Sequence, residues 1–237
     1  ILHHGDGLVC SDLHVPFHVP AAIESAISHA HANRVRNLLI NGDFADFAAL
    51  SYWKQIKRDF HRETEMCIDM LDFLRGQFDK IIYKPANHEE RLETYMVSNA
   101  PVLVGQPWAD IRTVFSLEER GIELLAKKQL VVAGDLSIIH GDEIRGGSKA
   151  VNPARWLSLK ARSTSLCGHS HQTSYHPGNT IRGREHGFWS IGCMCDLHPD
   201  WNPLSNGWNH GFALLHLEKD GTFDLENRKI LKNGKVV

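Results

Sequence analysis

Three short apolar runs in the first half of the chain each end in a polar cluster, and stretches of helical periodicity separate them. Gly7–Asp12 reads as a buried strand that delivers Ser11, Asp12, Leu13 and His14 at its C-terminal end. Pro20 opens a helix in which Ile23, Ile27 and Ala30 recur at helical spacing. Arg36–Ile40 is a second strand, ending in Asn41, Gly42 and Asp43. A longer helix follows, with Cys67, Leu71 and Leu74 on one stripe. Ile81–Tyr83 is a third strand, ending in Asn87, His88 and Glu89. This alternation calls for parallel strands with helices packed on them. Open sheets of that kind place ligands beyond the C-terminal strand ends, where these polar clusters fall.

The second half has a different grammar. Gln129–Val132 and Leu136–His140 flank Ala133, Gly134 and Asp135, a turn signal, and read as a hairpin. Asn152 as cap and Pro153 at the first helical position start a helix through about Arg162. Ser165–Gly168 is a strand ending at His169; further strands are expected at Gly187–Cys193, Gly211–Leu217 and Thr222–Lys229. Asp196–His210 lacks periodicity and is expected to be an ordered rim loop. With 237 residues and no linker, repeat or low-complexity tract, one domain over residues 1–237 is expected.

Composition matters mainly through histidine. There are 16, against an ordinary 42% hydrophobic and 23% charged content and a net charge of −2. So near-neutral a chain must attract phosphate or nucleic acid through a local patch or a bound metal. The five cysteines lack regular spacing and are expected as buried reduced thiols, neither disulfides nor a thiolate metal site. No run reaches transmembrane length and no signal-peptide pattern is visible, so a reducing cytoplasm, away from membranes, is the expected location.

Singly, an Asp-x-His or a lone histidine means little. Here Asp12 and His14, Asp43, Asn87 and His88, His140, and His169 and His171 all fall at the C-terminal ends of expected strands. Residues i and i+2 of an extended segment share an orientation, so Asp12/His14 and His169/His171 can each aim at one spot. Oxygen and imidazole donors without thiolate suit manganese, iron, zinc or nickel. Seven such donors exceed what one ion with an open position takes. They suit two ions roughly 3.5–4 Å apart, the clamp for in-line displacement at phosphorus.

In these motifs the chain resembles the calcineurin-like metallophosphoesterases. Their five motifs appear in order as Asp12-Leu13-His14, Gly42-Asp43, Asn87-His88-Glu89, His140-Gly141 and Gly168-His169-Ser170-His171. The resemblance implies a four-layer α/β/β/α fold, a two-sheet sandwich flanked by helices, with the later strands in its second sheet. It implies that Asp12, His14 and His171 hold one metal, that Asn87, His140 and His169 hold the other, and that Asp43 bridges them. His88 would face the leaving-group oxygen. Asp46 matches the carboxylate that orients this histidine in the Ser/Thr phosphatase branch; read by itself it could equally cap a helix. There are departures. Ala86 replaces a glycine, and Phe47 stands where the Ser/Thr phosphatases carry a phosphate-gripping arginine, which argues against a protein phosphatase. Glu90-Arg91 and Trp208–Gly211 look more like small phage-type or bacterial phosphoesterases.

The implied activity is phosphoester hydrolysis by in-line attack of a hydroxide bridging two divalent ions, manganese first among the candidates, with His88 donating a proton as imidazolium. Arg145, Lys149, Arg155, Lys160 and Arg162 form a basic run between the fourth and fifth motifs. It favours a phosphodiester substrate: a nucleotide, or single-stranded DNA or RNA cut by a nuclease. The same charges could simply solvate a helix face. Arg91, Arg145 and His18 are the candidate substrate contacts. A phosphomonoesterase gripping a terminal phosphate through Arg91 is the alternative. A binding scaffold without activity is the third reading, disfavoured because every ligand and His88 are present; protein partners are not indicated.

Overall fold

The computed structural model describes residues 5–52, 59–144, 151–204 and 206–237. In chain order the elements are β1 (Gly7–Cys10), α1 (Pro20–Ala32), β2 (Asn37–Asn41), α2 (Phe60–Arg75), β3 (Lys80–Lys84), α3 (Glu90–Asn99), α4 (Ile111–Val114), β4 (Ile122–Leu124), β5 (Val131–Ala133), β6 (Leu136–Ile138), α5 (Pro153–Ala161), β7 (Ser165–Cys167), β8 (Ser174–Asn179), β9 (Glu185–Ser190), β10 (His210–Leu217) and β11 (Phe223–Ile230). One sheet has the order β11-β10-β1-β2-β3-β4, the other β5-β6-β7-β9-β8. β1 to β4 run parallel, as do β6, β7 and β9.

Alternation along the strands builds the layers. Leu8, Leu38, Ile40, Ile81, Tyr83 and Leu214 face a core shared with Ile23 and Ile27 of α1 and Leu71 and Leu74 of α2. Their neighbours Val9, Leu39, Ile82, Ala213 and Leu215 face the opposite way and pack on Val131, Leu136, Ile138 and Leu166 of the second sheet. Beyond that sheet, Cys167 and Phe188 pack on Ala154 and Leu157 of α5. The result is helix, sheet, sheet, helix. Because strands β1 to β3 are apolar on both faces, each fully buried side chain contributes on the order of 1.5–3 kcal/mol to the sandwich.

α5 starts as its sequence signals indicate: the Asn152 side chain accepts from Arg155 N at 2.9 Å and Pro153 sits at the first turn. Other expectations are corrected. β10 and β11 lie in the first sheet, where β10 pairs antiparallel with β1 (Val9 opposite Ala213), not in the second. β10 is buried over five consecutive residues, Gly211 to Leu215, with Phe212 and Leu214 in the helix-side core and Ala213 and Leu215 in the core between the sheets. β8 was not expected because it contains Pro177 and Gly178, but it is the edge strand, where a missing N–H leaves no ladder bond unmade. α3 and the three-residue β4 also lacked a readable period. The five cysteines are free and buried, and burial pushes Cys10 and Cys167 up to about 12. Among the described residues no helix is long and apolar enough to cross a membrane.

Candidate metal centre

The loops after β1, β2 and β3 of one sheet and after β6 and β7 of the other converge. The backbone there is strained. Of ten non-glycine residues with positive φ among the described residues, five are candidate ligands: Asp12 (57°), His14 (48°), Asp43 (50°), His169 (63°) and His171 (55°). Left-handed backbone costs an L-residue about 1–2 kcal/mol. Hydrogen bonds between the loops hold it: Asp12 N to Gly42 O at 3.1 Å, His14 N to Asp43 O at 2.9 Å, and Asn209 N to His171 O at 2.9 Å. Glycine is needed twice for close approach. A Cβ on Gly42, whose φ is +88°, would lie 2.4 Å from His140 Nδ1 and 2.6 Å from the Ala86 methyl. One on Gly168 would lie 2.1 Å from Ser11 Oγ. Ala86 itself is buried without positive φ, so alanine is accommodated because its neighbour is glycine.

Asp12, Asp43, His14 and His140 each have one polar atom tied down and another turned inward. Asp12 Oδ2 accepts from His169 N at 2.9 Å, and Asp43 Oδ1 accepts from His88 N at 3.0 Å. Their other oxygens point into one space. Asp12 Oδ1 lies 3.1 Å from His171 Nε2 and 3.8 Å from both His14 Nε2 and His140 Nε2. Asp43 Oδ2 lies 3.2 Å from His140 Nε2 and 3.9 Å from His14 Nε2, between the two halves of the cage. His140 Nδ1 donates to Asn41 O at 2.7 Å, and His14 Nδ1 donates to Asp46 Oδ2 at 3.1 Å, which leaves each Nε2 as a lone pair facing inward.

Two of those inward atoms, Asp12 Oδ1 and His140 Nε2, are buried 3.8 Å apart without a hydrogen-bond partner, and Asn87 Oδ1 is also buried without one. Buried polar atoms are normally satisfied, so the pair of orphaned atoms suits a cation between them. Asp12, His14 and Asp43 form one group with ligand geometry; Asp43, His140 and His169 form another. A divalent metal therefore fits the residues present. The titration of the cage agrees. Burial works against ionising Asp12, but the charges of His171 and His140 outweigh it and hold its carboxyl well below the usual range. Burial likewise works against His140 and His171, yet Asp43 and Asp12 push the first up to about 10 and Asp12 pushes the second up to about 9. The carboxylates demand positive charge in the cage.

Around this core the other expected residues are placed unequally. The Asp46 carboxylate caps no helix. Its Oδ2 lies 3.1 Å from His14 Nδ1 and 3.4 Å from His88 Nδ1, and its Oδ1 takes Arg91 Nη1 at 3.0 Å. His88 Nδ1 donates to Asp46 O at 3.0 Å, while Arg91 Nη2 lies 3.1 Å from His88 Nε2. Burial lowers the pKa of His88, and the Arg91 guanidinium lies beside this ring. Phe47 is core, stacked on Phe115 at 5.8 Å. His18 pairs through its backbone with Cys195 and is not among the residues lining the cleft. Arg145 and Lys149 lie outside the described residues. Arg155, Lys160 and Arg162 belong to α5 and its C-cap and do not line the cleft either.

Three features escaped sequence reasoning. Cys195 Sγ lies 3.8 Å from His171 Nδ1, so a thiol borders an otherwise oxygen-and-imidazole cage. Glu89 accepts from the N–H groups of Asp43, Phe44, Ala45 and Ala86 and from Tyr83 Oη, which binds the β2 loop to the β3 loop. Glu143 accepts from His140 N at 3.2 Å and Gly141 N at 2.7 Å and pairs with the fully buried Lys84 at 2.7 Å. A signal for the last existed: a lysine inside an apolar strand requires a buried acid.

Above the cage opens a cavity of about 530 Å³. His14, Asp43, His169 and His171 form its floor, and Asp46, His88, Arg91, Phe17, Asp196, Trp201 and Trp208 contribute to its sides. Three of these, Asp196, Trp201 and Trp208, come from the segment 196–209, which carries no helix or strand among its described residues.

No protein-family model matches the chain, and no curated protein does. Solved structures do. A single-residue variant of Vps29 from Entamoeba histolytica aligns with a TM-score of 0.51 at 14% identity, covering 98% of this chain and 96% of that one. Vacuolar protein sorting 29 from Cryptosporidium parvum aligns at 0.50 and 13% identity, covering 98% and 94%. Yfce, a phosphoesterase from E. coli, aligns at 0.43 and 15% identity, covering 98% and 96%. At these identities the likeness is one of fold. The two-sheet sandwich flanked by helices is the α/β sandwich fold of Vps29.

Proposed function

We propose that the chain is a metal-dependent phosphodiester hydrolase of the calcineurin-like class, acting on a nucleotide or nucleic acid. The observation that carries this reading is the paired aspartates: each has one oxygen tied to a backbone N–H and the other aimed, with three imidazole nitrogens, into the same space. Asp12, His14 and His171 would hold one divalent ion, Asn87, His140 and His169 a second, and Asp43 lies between. Bound there, the ions supply charge neutralisation at phosphorus and acidify water at neutral pH.

The residues of the chain do the rest. Asp46 and Asn41 O hold the His14 and His140 rings so that Nε2 faces the ions. His88 and Arg91 line the cavity beside Asp43, where a phosphoryl oxygen or a leaving group would sit. Arg91 places its guanidinium there against His88 Nε2, and its remaining N–H groups can stabilise developing negative charge by hydrogen bonding. His88 acts as a proton donor only if substrate draws Arg91 away. Arg91 is the one lysine or arginine among the described lining residues, and Asp46 and His88 already engage it. A terminal phosphate dianion needs more positive charge than that, which favours a diester over a monoester.

The test is metal content and substrate class together. Chelated protein reloaded with manganese, zinc or nickel is expected to take up two ions per chain by elemental analysis and to hydrolyse a chromogenic diester faster than the matching monoester. Uptake below one ion per chain refutes the metal reading. Monoester preference shifts the assignment to a phosphatase using Arg91. Full loading without hydrolysis of either supports the scaffold reading.

A further inference from the structure

The cavity above the cage has an aromatic side that the hydrolytic reading does not use. Trp201 is 54% exposed and meets Phe17 edge-on at 5.5 Å and 75°. Trp208 packs on the candidate ligand His171 at 4.2 Å, so the aromatic group runs down to the cage itself. A tryptophan is usually well covered, because its ring is large and mostly apolar. One left half open on the wall of a cavity has apolar surface free to meet a ligand.

Charge decides what can cover it. A strand of nucleic acid is tracked by several cations along its phosphates. Among the described lining residues there is one, Arg91, while Asp196 contributes an exposed acid to the same wall. That pairing suits a single phosphate near the cage with an uncharged ring beside it. The cavity, at about 530 Å³, is of the size that encloses one small molecule. Every base has a π-face, so stacking on an aromatic side chain needs no particular sequence.

We propose that Phe17, Trp201 and Trp208 form a subsite for one nucleobase, which makes the substrate a single nucleotide unit esterified through its phosphate rather than the interior of a long strand. This rests on the phosphodiesterase reading for its chemistry, but its test does not need turnover. Full-length protein, both chelated and manganese-loaded, is titrated calorimetrically with adenosine 5′-monophosphate and with ribose 5-phosphate, which share the phosphate and sugar and differ in the base. The expected result is about tenfold tighter binding of the nucleotide, a preference lost in Trp201→Ala and retained in Trp201→Phe. Circular dichroism confirms that the variants fold, and Phe17→Leu serves as a second probe of the same wall. Equal affinity for the two ligands in the wild type overturns the subsite. So does a preference that survives both Trp201→Ala and Phe17→Leu. A twelve-nucleotide single strand binding far more tightly than the mononucleotide, with affinity falling steeply in salt, also overturns it in favour of a strand-binding groove. A base preference without hydrolysis of any diester would leave the subsite standing and sink the phosphodiesterase reading instead.

Discussion

At the floor of the cleft, Asp12 and Asp43 each commit one oxygen to a backbone N–H, and His14 and His140 each commit Nδ1 to a fixed acceptor. At its rim, Trp201 is half exposed and meets the ring of Phe17 edge-on. The floor holds five candidate ligands in left-handed backbone and leaves Asp12 Oδ1 and His140 Nε2 buried without partners, costs that a dense set of loop-to-loop hydrogen bonds sustains. The rim carries no such strain at Pro199, Trp201 or Trp208. Chemistry that needs atoms placed within tenths of an ångström sits on strand ends locked between two sheets. Selection among ligands can sit on a loop that merely presents rings.

The contrast can be broken hardest at its centre. Asp43→Ala removes the oxygen that lies between both halves of the cage and the acceptor of His88 N. Diester turnover is expected to fall on the order of 10³-fold or more, with elemental analysis showing loss of at least one ion per chain. Gly42→Ala forces a Cβ to within 2.4 Å of His140 Nδ1 at a φ of +88°. A destabilisation of about 3–4 kcal/mol is expected in urea denaturation of the chelated protein, from backbone strain plus overpacking.

A third substitution tests whether the floor depends on support from behind. Glu143→Gln breaks the pair with Lys84, whose side chain is 0% exposed, and is expected to cost about 2–3 kcal/mol. Burial works against the Glu143 charge, but Lys84 and the Gly141 N–H hold its pKa down to about 2. A folded pKa below the unfolded one makes this contribution complete at neutral pH and lost as the pH falls from about 4.5 towards 2. The stability gap between wild type and variant should therefore narrow across that window. A gap that is flat with pH would mean the variant acts by packing. The smallest effect is expected at the rim: Leu204, 79% exposed and not lining the cavity, should accept serine with a change within about 0.5 kcal/mol and unaltered diester turnover.

Much of the fold was legible from periodicity. The runs at β1, β2 and β3 alternate into two cores, and the polar residues that follow each one could be read directly. Pairing partners were not legible in the same way. β10 reads as a strand anywhere, and its place beside β1 is a property of the assembled sandwich. β8 hid behind Pro177 and Gly178, residues that an edge strand tolerates and a central one does not. At the site, a helix cap and a histidine-orienting role were equally open for Asp46. Its contacts with His14, His88 and Arg91 appear only once β1, the β2 loop and α3 are packed together.

By itself the sequence determined the donor chemistry of the cage and its delivery at strand ends, because residue type and backbone periodicity are local properties. The tertiary structure decided which lone pairs meet, that Arg91 lies against His88, and that an aromatic wall borders the cage. Those depend on distances between residues as far apart as Asp12 and His171, and only packing of the two sheets sets such distances.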